Sequence, residues 1–149
     1  LEQKAIQPKP GYKEKLRFNW NAPMALSPHD KSVLYLGSQY LHRTRDHGNT
    51  WERISPDLST NNVAKQQQEK SGGITVDNSS AEMHTTIYSI SESPVAKGMI
   101  WVGTDDGNVQ LTRDDGKTWT NLTKNLKIGS ENWISWVEAS QHDAGTAYV

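Results

Sequence analysis

The stretch Thr44-Arg45-Asp46-His47-Gly48-Asn49-Thr50-Trp51 decides the fold, because it returns almost unchanged as Thr112-Arg113-Asp114-Asp115-Gly116-Lys117-Thr118-Trp119. Six of the eight positions are identical in the two copies. A motif that recurs within one short chain indicates a repeated structural unit, and such repeats take precedence over local sequence signals. The sequence therefore predicts a repeat architecture.

The repeat extends upstream of this motif. Ser27 stands eight residues before Tyr35, Ser93 eight before Trp101, and Ser140 eight before Tyr148. Pro follows the first two of these serines. The matching offsets indicate two full repeat units and the start of a third.

Each unit contains short apolar runs rich in β-forming residues, and turn residues bound them. Val33–Leu36 and Met99–Val102 read as strands that are buried on both faces. The predicted inner strands are Met24–Ser27, Ile87–Ser91 and Trp136–Ala139. The strands that follow the apolar runs are Tyr40–Thr44 and Asn108–Thr112, and the outer strands are Thr50–Ile54 and Thr118–Leu122. Four antiparallel strands in a meander form the blade of a β-propeller, so the predicted fold class is all-β.

The residues of the repeated motif are of the types that stabilise a hairpin turn. Its Asp can accept hydrogen bonds from backbone N–H groups of the turn, and its Gly can adopt positive φ at little steric cost. Its Trp can bury a large apolar side chain as the outer strand begins. We expect a structural role for the shared positions, namely Thr44, Asp46, Gly48, Trp51, Thr112, Asp114, Gly116 and Trp119. Removing either tryptophan should cost on the order of 3–5 kcal/mol if its side chain is fully buried.

The motif resembles the Asp-box, also called the bacterial neuraminidase repeat, which occurs in sialidases, xyloglucanases, sortilin-type receptors and photosystem assembly factors. The strings Arg17–Asn21, Ser55–Leu58 and Val102–Asn108 resemble large secreted bacterial proteins described as glycosyl-hydrolase-like or sortilin-like. The resemblance covers nearly all of the chain after Lys15. It implies a β-propeller that is secreted, periplasmic or at the cell surface of a bacterium.

The predicted organisation is a linker or surface arm over 1–17 and a partial propeller over 18–149. The propeller part divides into a first blade over 18–58, a long inserted loop over 59–85, a second blade over 86–127 and the start of a third over 128–149. Because a propeller needs about four blades to close, we expect a fragment of a larger ring. The expected partners are the remaining blades of the parent protein or other protein chains, and self-association is expected in isolation.

Composition excludes several classes of function. The chain carries 16 Lys and Arg against 17 Asp and Glu, so its charge gives no case for binding nucleic acid or an anionic membrane. Its apolar runs are shorter than the ~18 residues that cross a bilayer, so membrane insertion is not expected. There are no cysteines, which excludes disulfides. We expect no cofactor and no metal.

Ligands of propellers usually bind at the mouth of the central channel, where loops lead into the inner strands and join the second strand to the third. Trp20 and Trp133 hold equivalent places there, each seven residues before the Ser of its unit. Packing between blades is the alternative role for these tryptophans. The predicted ligand-binding residues, for a protein, peptide or glycan ligand, are Trp20, Asn21, Tyr40, His84, Asp105, Asn108 and Trp133.

Few residues of the chain could serve in catalysis. Glycosidases use two carboxylates about 5–9.5 Å apart, and the weak candidates here are Glu82, Asp105, Asp106 and Glu131. Sialidase chemistry needs an arginine cluster, but the chain has only five arginines and two of them lie inside the motif. The other histidines, His29, His42, His47 and His142, are expected at the surface. Two functions stay open: non-catalytic binding or scaffolding of the sortilin type, and part of a xyloglucanase-like or sialidase-like glycoside hydrolase.

Overall fold

Three antiparallel sheets follow one another along the chain. The computed structural model describes residues 3, 5–11, 13–67, 70, 83–127 and 132–149. The first sheet contains β1 (Met24–Leu26), β2 (Leu34–Gly37), β3 (Leu41–Thr44) and β4 (Glu52–Arg53). The second contains β5 (Ile87–Glu92), β6 (Ile100–Thr104), β7 (Val109–Thr112) and β8 (Thr120–Asn121), and the third contains β9 (Glu138–Ala139) and β10 (Ala147–Tyr148).

The first and second sheets are meanders with the same register. Each strand pairs with the next one in the chain, and Met24 faces Leu36 in the first sheet as Ile90 faces Val102 in the second. Short 3-10 turns at Val63–Gln66 and Thr123–Asn125 complete the regular structure of the described residues. Two four-stranded meanders followed by a further hairpin are two propeller blades and the start of a third. The predicted fold class is confirmed.

The sheets stack face to face, and their shared faces form two cores. Tyr35 and Leu41 of the first sheet, and Ile54 directly after β4, pack with Ile100 and Val102 of the second sheet. A second core joins the other face of the second sheet to the third, through the side chains of Met99, Trp101, Val109, Leu111, Ile134, Val137 and Ala139. Both faces of β6 are therefore covered, as its uninterrupted apolar sequence predicts.

The two copies of the repeated motif form matching hairpin turns. Asp46 accepts hydrogen bonds from the Thr50 N–H at 2.8 Å and from the Thr50 hydroxyl at 2.7 Å. Asp114 accepts the same pair from Thr118 at 2.8 and 2.6 Å. These bonds stabilise the charged carboxylates and lower the pKa of each to about 2. The predicted hairpin turn, stabilised by its Asp, is present in both copies.

The tryptophans of the motif do not meet the condition of full burial. Both are half-buried, because β4 and β8 are the outermost strands of their sheets. Trp119 packs against the core between the first and second sheets, and its indole N–H donates to the carbonyl of Ile54 at 3.0 Å. The indole N–H of Trp51 donates to the carbonyl of Ile6.

His42 is buried, which corrects its predicted place at the surface. It lies on β3, and only 5% of it is exposed. Its Nε2 atom is 2.8 Å from the Ser38 hydroxyl oxygen. Burial, assisted by the positive charge of Arg53, lowers the pKa of His42 to about 4, so the ring is neutral at pH 7.

Candidate functional site

A cavity of about 430 Å³ opens where the segments leading into β1, β5 and β9 meet. It lies at the end of the sheets where the sequence places the channel mouth. Its walls are Asn19, Trp20, Asn21, Met83, His84, Tyr88 and Trp133. The cavity therefore brings together four of the predicted ligand-binding residues, namely Trp20, Asn21, His84 and Trp133.

Aromatic rings form the apolar part of this cavity. Tyr88 and Trp133 stack with ring centroids 5.1 Å apart and an angle of 24° between their planes. Trp20 and Trp133 are 68% and 54% exposed. Single exposed apolar residues are common on proteins, whereas several large aromatic rings around one concavity are typical of a binding site. The rings thus offer flat apolar surfaces that are still in contact with solvent.

Polar groups stand between the rings. The Asn21 side-chain amide donates to the Tyr88 hydroxyl at 3.0 Å. His84 lines the same cavity, and its Nδ1 atom is buried without a hydrogen-bond partner among the described residues. Buried polar atoms are nearly always paired, so an open position on a ring nitrogen needs an explanation. The walls thus carry an amide, a phenol and an imidazole, and the Nδ1 atom of that imidazole is itself shielded from solvent.

Strained backbone follows His84. Thr85 has φ of +65°, a left-handed conformation that β-branched residues rarely adopt. Its carbonyl accepts a hydrogen bond from Arg17 Nε at 3.1 Å, and its hydroxyl accepts one from the Gln66 amide at 2.9 Å. Such strain persists only where surrounding contacts hold it, and it concentrates at functional sites. These contacts fix the position at which His84 enters the cavity.

Asp105 and Asp106 lie outside the walls of the cavity, and they are 1% and 3% exposed. Asp105 accepts hydrogen bonds from both the N–H and the hydroxyl of Thr86, each at 2.8 Å. Asp106 accepts the same two kinds of bond from Thr60, each at 2.7 Å. The two carboxylates hold the loop between β6 and β7 to neighbouring segments.

Tyr40 and Asn108 also lie away from the cavity. The guanidinium carbon of Arg53 sits 4.5 Å from the centre of the Tyr40 ring. The Asn108 amide donates to the carbonyl of Leu58 at 3.0 Å, which joins the second sheet to the segment after β4. The structure therefore separates these two residues from the other predicted ligand-binding residues.

Two of the four carboxylates considered for catalysis, Glu82 and Glu131, lie outside the described residues. Within the ranges that the structure describes, no group of three His, Cys, Asp or Glu side chains is arranged to hold a metal ion. None of the helical segments in those ranges has the length and apolar character needed to cross a membrane.

Asn19, Met83 and Tyr88 are the wall residues outside the predicted ligand-binding set, and Tyr88 is the aromatic one among them. The β5–β6 register shifts between Ile87 and Ser89, so Tyr88 is the extra residue of a β-bulge. Ile87 and Ile90 both pack into the core between the first and second sheets, although they are three positions apart. In a regular strand, two such positions face opposite sides. This spacing is a sequence signal that could have indicated the bulge and an outward Tyr88.

Comparisons with known proteins give a limited result. No family model matches the chain, and no curated protein matches it. Among solved structures, it is similar to the GH74 xyloglucanase from Xanthomonas campestris, with 22% identity, a TM-score of 0.47, and coverage of 72% of this chain and 15% of that one. The GH74 enzyme of Niastella koreensis gives 17% identity and the same TM-score of 0.47, with coverage of 81% and 18%.

The chain thus spans less than a fifth of the length of either enzyme. Both TM-scores lie below 0.5, so these similarities do not bear on what this chain binds or does. The fold assignment rests on the sheet topology and register of the chain itself.

Proposed function

We propose that this chain is a non-catalytic binding segment of an Asp-box β-propeller of the sortilin-like kind, with its ligand held in the cavity between Trp20 and Trp133. The observation that carries the proposal is the cavity itself. Two exposed indoles and a stacked phenol surround it, and amide and imidazole groups stand between them. Sites for organic ligands combine apolar walls with a few placed polar groups in this way.

The ligand class that suits this site best is a glycan. A sugar ring has a flat C–H face that can lie on an indole and hydroxyl groups around its edge that need hydrogen-bond partners. Trp20 and Trp133 supply the apolar surfaces, whereas Asn21 and His84 supply the polar edge. Among the described residues, the walls carry no Lys, Arg, Asp or Glu side chain, which favours a neutral ligand over a charged one.

Hydrolysis of such a glycan is the less favoured function. It needs two carboxylates that face the scissile bond. Asp105 and Asp106 are buried, have hydrogen-bond donors on their carboxylates, and do not line the cavity. A binding function asks nothing of these groups beyond holding the loops in place.

Titration with a panel of neutral oligosaccharides, followed by isothermal calorimetry, tests the proposal. We expect Trp20→Ala and Trp133→Ala each to weaken binding at least about tenfold, since each removes a stacking surface on the order of 1.5 kcal/mol. Trp136→Ala is the matched control, because Trp136 is 66% exposed and lies outside the cavity. Equal losses in all three variants, or binding of peptides alone, would contradict a glycan site here.

A turnover assay on the same panel separates binding from hydrolysis. We expect no release of reducing ends by the wild-type chain. Hydrolysis that disappears in Glu82→Gln or Asp105→Asn would establish the glycoside hydrolase alternative instead. Location outside the bacterial cytoplasm is part of the same proposal, and detecting the protein in cell fractions of its source with an antibody tests it.

A further inference from the structure

One contact occurs at two places in this molecule. The Trp119 indole N–H of the second sheet donates to the carbonyl of Ile54, which directly follows the outer strand of the first sheet. The Trp51 indole N–H of the first sheet donates in the same way to the carbonyl of Ile6. The same atom of the repeated motif thus meets an isoleucine carbonyl from the preceding segment of the chain.

The glycine of the motif repeats the correspondence. Gly116 has φ of +90°, and a Cβ atom built on it would lie 3.0 Å from Ile54 Cβ. Gly48 has φ of +82°, and a Cβ atom built on it would lie 2.5 Å from Ile6 Cβ. An isoleucine therefore lies directly against the turn at both places. Ile6 takes on the first sheet the position that Ile54 takes on the second.

The correspondence between Ile6 and Ile54 covers only the outer half of the face of the first sheet. Met24 and Leu26, at the inner end of the first sheet, are 65% and 67% exposed. Ile90, the counterpart of Met24 by register, packs instead against the first sheet. A cavity of about 520 Å³ also lies between the N-terminal segment and the first sheet, with Gln7 and Lys9 on one wall and His42 on another. The segment is thus loosely packed compared with a stacked sheet.

The anchoring of this segment is uneven. Glu14 forms an ion pair with Arg53 at 2.7 Å, and the Lys15 carbonyl accepts a hydrogen bond from the Gln39 amide at 2.9 Å. Upstream of these anchors, Ile6 makes the contact with the repeated motif. The contacts of residues 5–9 with the first sheet are thus separate from those of residues 14–17.

We propose that residues 5–9 form an internal cap on the first sheet, and that another polypeptide displaces this cap. The part of that polypeptide that binds in its place is the end of the outer strand of a blade. The segment that replaces the cap is extended. It has an aliphatic side chain that lies against Gly48 and a backbone carbonyl that accepts a hydrogen bond from the Trp51 indole N–H. Ile54 and its neighbours provide the pattern, because the same chemistry already joins the two sheets of this chain.

Binding of a peptide with the sequence Glu52–Leu58 to the full chain tests this proposal. The peptide contains no tryptophan, so the indole signals of a 15N-labelled chain report on the chain alone. Trp51→Phe assigns the Trp51 signal, and the Trp119 signal serves as an internal reference for folding. We expect Ile6→Asp to move the Trp51 signal, and the peptide to bind that variant at least tenfold more tightly than it binds the wild type.

Two controls match these measurements. Val63→Asp changes another aliphatic residue, which is 69% exposed, and should behave as the wild type. A peptide in which Ile54 is replaced by Asp should not bind. If Ile6→Asp also disturbs the Trp119 signal, Ile6→Ala takes its place, with the same expected shift and direction of affinity.

Three results would overturn the proposal. The first is an unchanged Trp51 signal in the Ile6 variant. The second is equal affinity of the peptide for the wild type and the variant, which means that residues 5–9 do not compete. The third is no binding to a variant whose Trp119 signal is unchanged.

Discussion

Burial of His42 makes the stability of this chain depend on pH in a defined window. The ring is 5% exposed, and its Nε2 atom meets the Ser38 hydroxyl. Burial is the main cause of its low pKa and the charge of Arg53 adds to it, whereas Glu14 acts in the opposite direction. The folded state therefore holds this histidine neutral at pH values where the unfolded chain protonates it.

The size of the effect follows from the two pKa values, 6.5 in the unfolded chain and about 4 in the folded one. Because the folded pKa is the lower, the full stability is present above pH 6.5 and is lost as the pH falls towards 4. One pKa unit corresponds to about 1.36 kcal/mol, so the unfolding free energy should fall by roughly 2 kcal/mol between pH 7 and pH 5. With a typical denaturant slope, the urea midpoint should fall by about 1 M.

Urea unfolding at pH 7, 6 and 5 measures this loss. His42→Gln keeps a polar group beside Ser38 but cannot titrate. In this variant, the fall in unfolding free energy between pH 7 and pH 5 should largely disappear. His142→Gln is the matched control, because it removes an exposed imidazole instead of a buried one. The same pH dependence in His42→Gln as in the wild type would refute the account of a buried neutral ring.

Three further predictions concern the turns and the buried carboxylates. Asp114 has a pKa of about 2 in the folded chain against 3.8 in the unfolded one. Its contribution to stability is therefore present above pH 4 and should be lost as the pH falls towards 2. The urea midpoint of Asp114→Asn should accordingly change less across that range than the midpoint of the wild type. Gly116→Ala should lower the unfolding free energy by roughly 2–3 kcal/mol, because it forces alanine into positive φ against a backbone oxygen 2.5 Å away. Gly48→Ala should lower it by only about 1 kcal/mol, because the neighbouring segment can move, and an equal loss in urea unfolding would contradict this reasoning. Asp105→Asn should lower it by about 1–3 kcal/mol through the lost pairing with Thr86, and an unchanged thermal midpoint would show that this bond contributes little.

Much of the fold could be predicted because its signals are local. The apolar runs Val33–Leu36 and Met99–Val102 contain no polar residue, so they indicate strands covered on both faces. The Asp and Gly of the repeated motif lie within one turn of the groups that they serve, so Asp46 and its hydrogen bonds follow from the order of residues alone. The matching offsets of the upstream serines then set the same register in both sheets.

The environment of the candidate site could not be predicted as well, because its determinants are distant in sequence. Asp106 is buried by its bonds to Thr60, 46 positions upstream, and nothing close to it in the sequence announces that partner. His42 has a polar neighbourhood in the sequence, yet the loops and the N-terminal segment enclose it. Trp20 and Trp133 line one cavity because the sheets stack, and their equivalent positions in the sequence left packing between blades open as the alternative.

The bulge at Tyr88 has a consequence for how such a surface can arise. Because Tyr88 is itself the extra residue, a strand without it would alternate regularly and would carry no ring at this point. A single inserted codon is therefore enough to bring an aromatic ring beside Trp133, while Ile87 and Ile90 keep their places in the core. An extra residue in the inner strand of a blade can thus add a side chain to the wall of this cavity while the isoleucines on either side stay in the core.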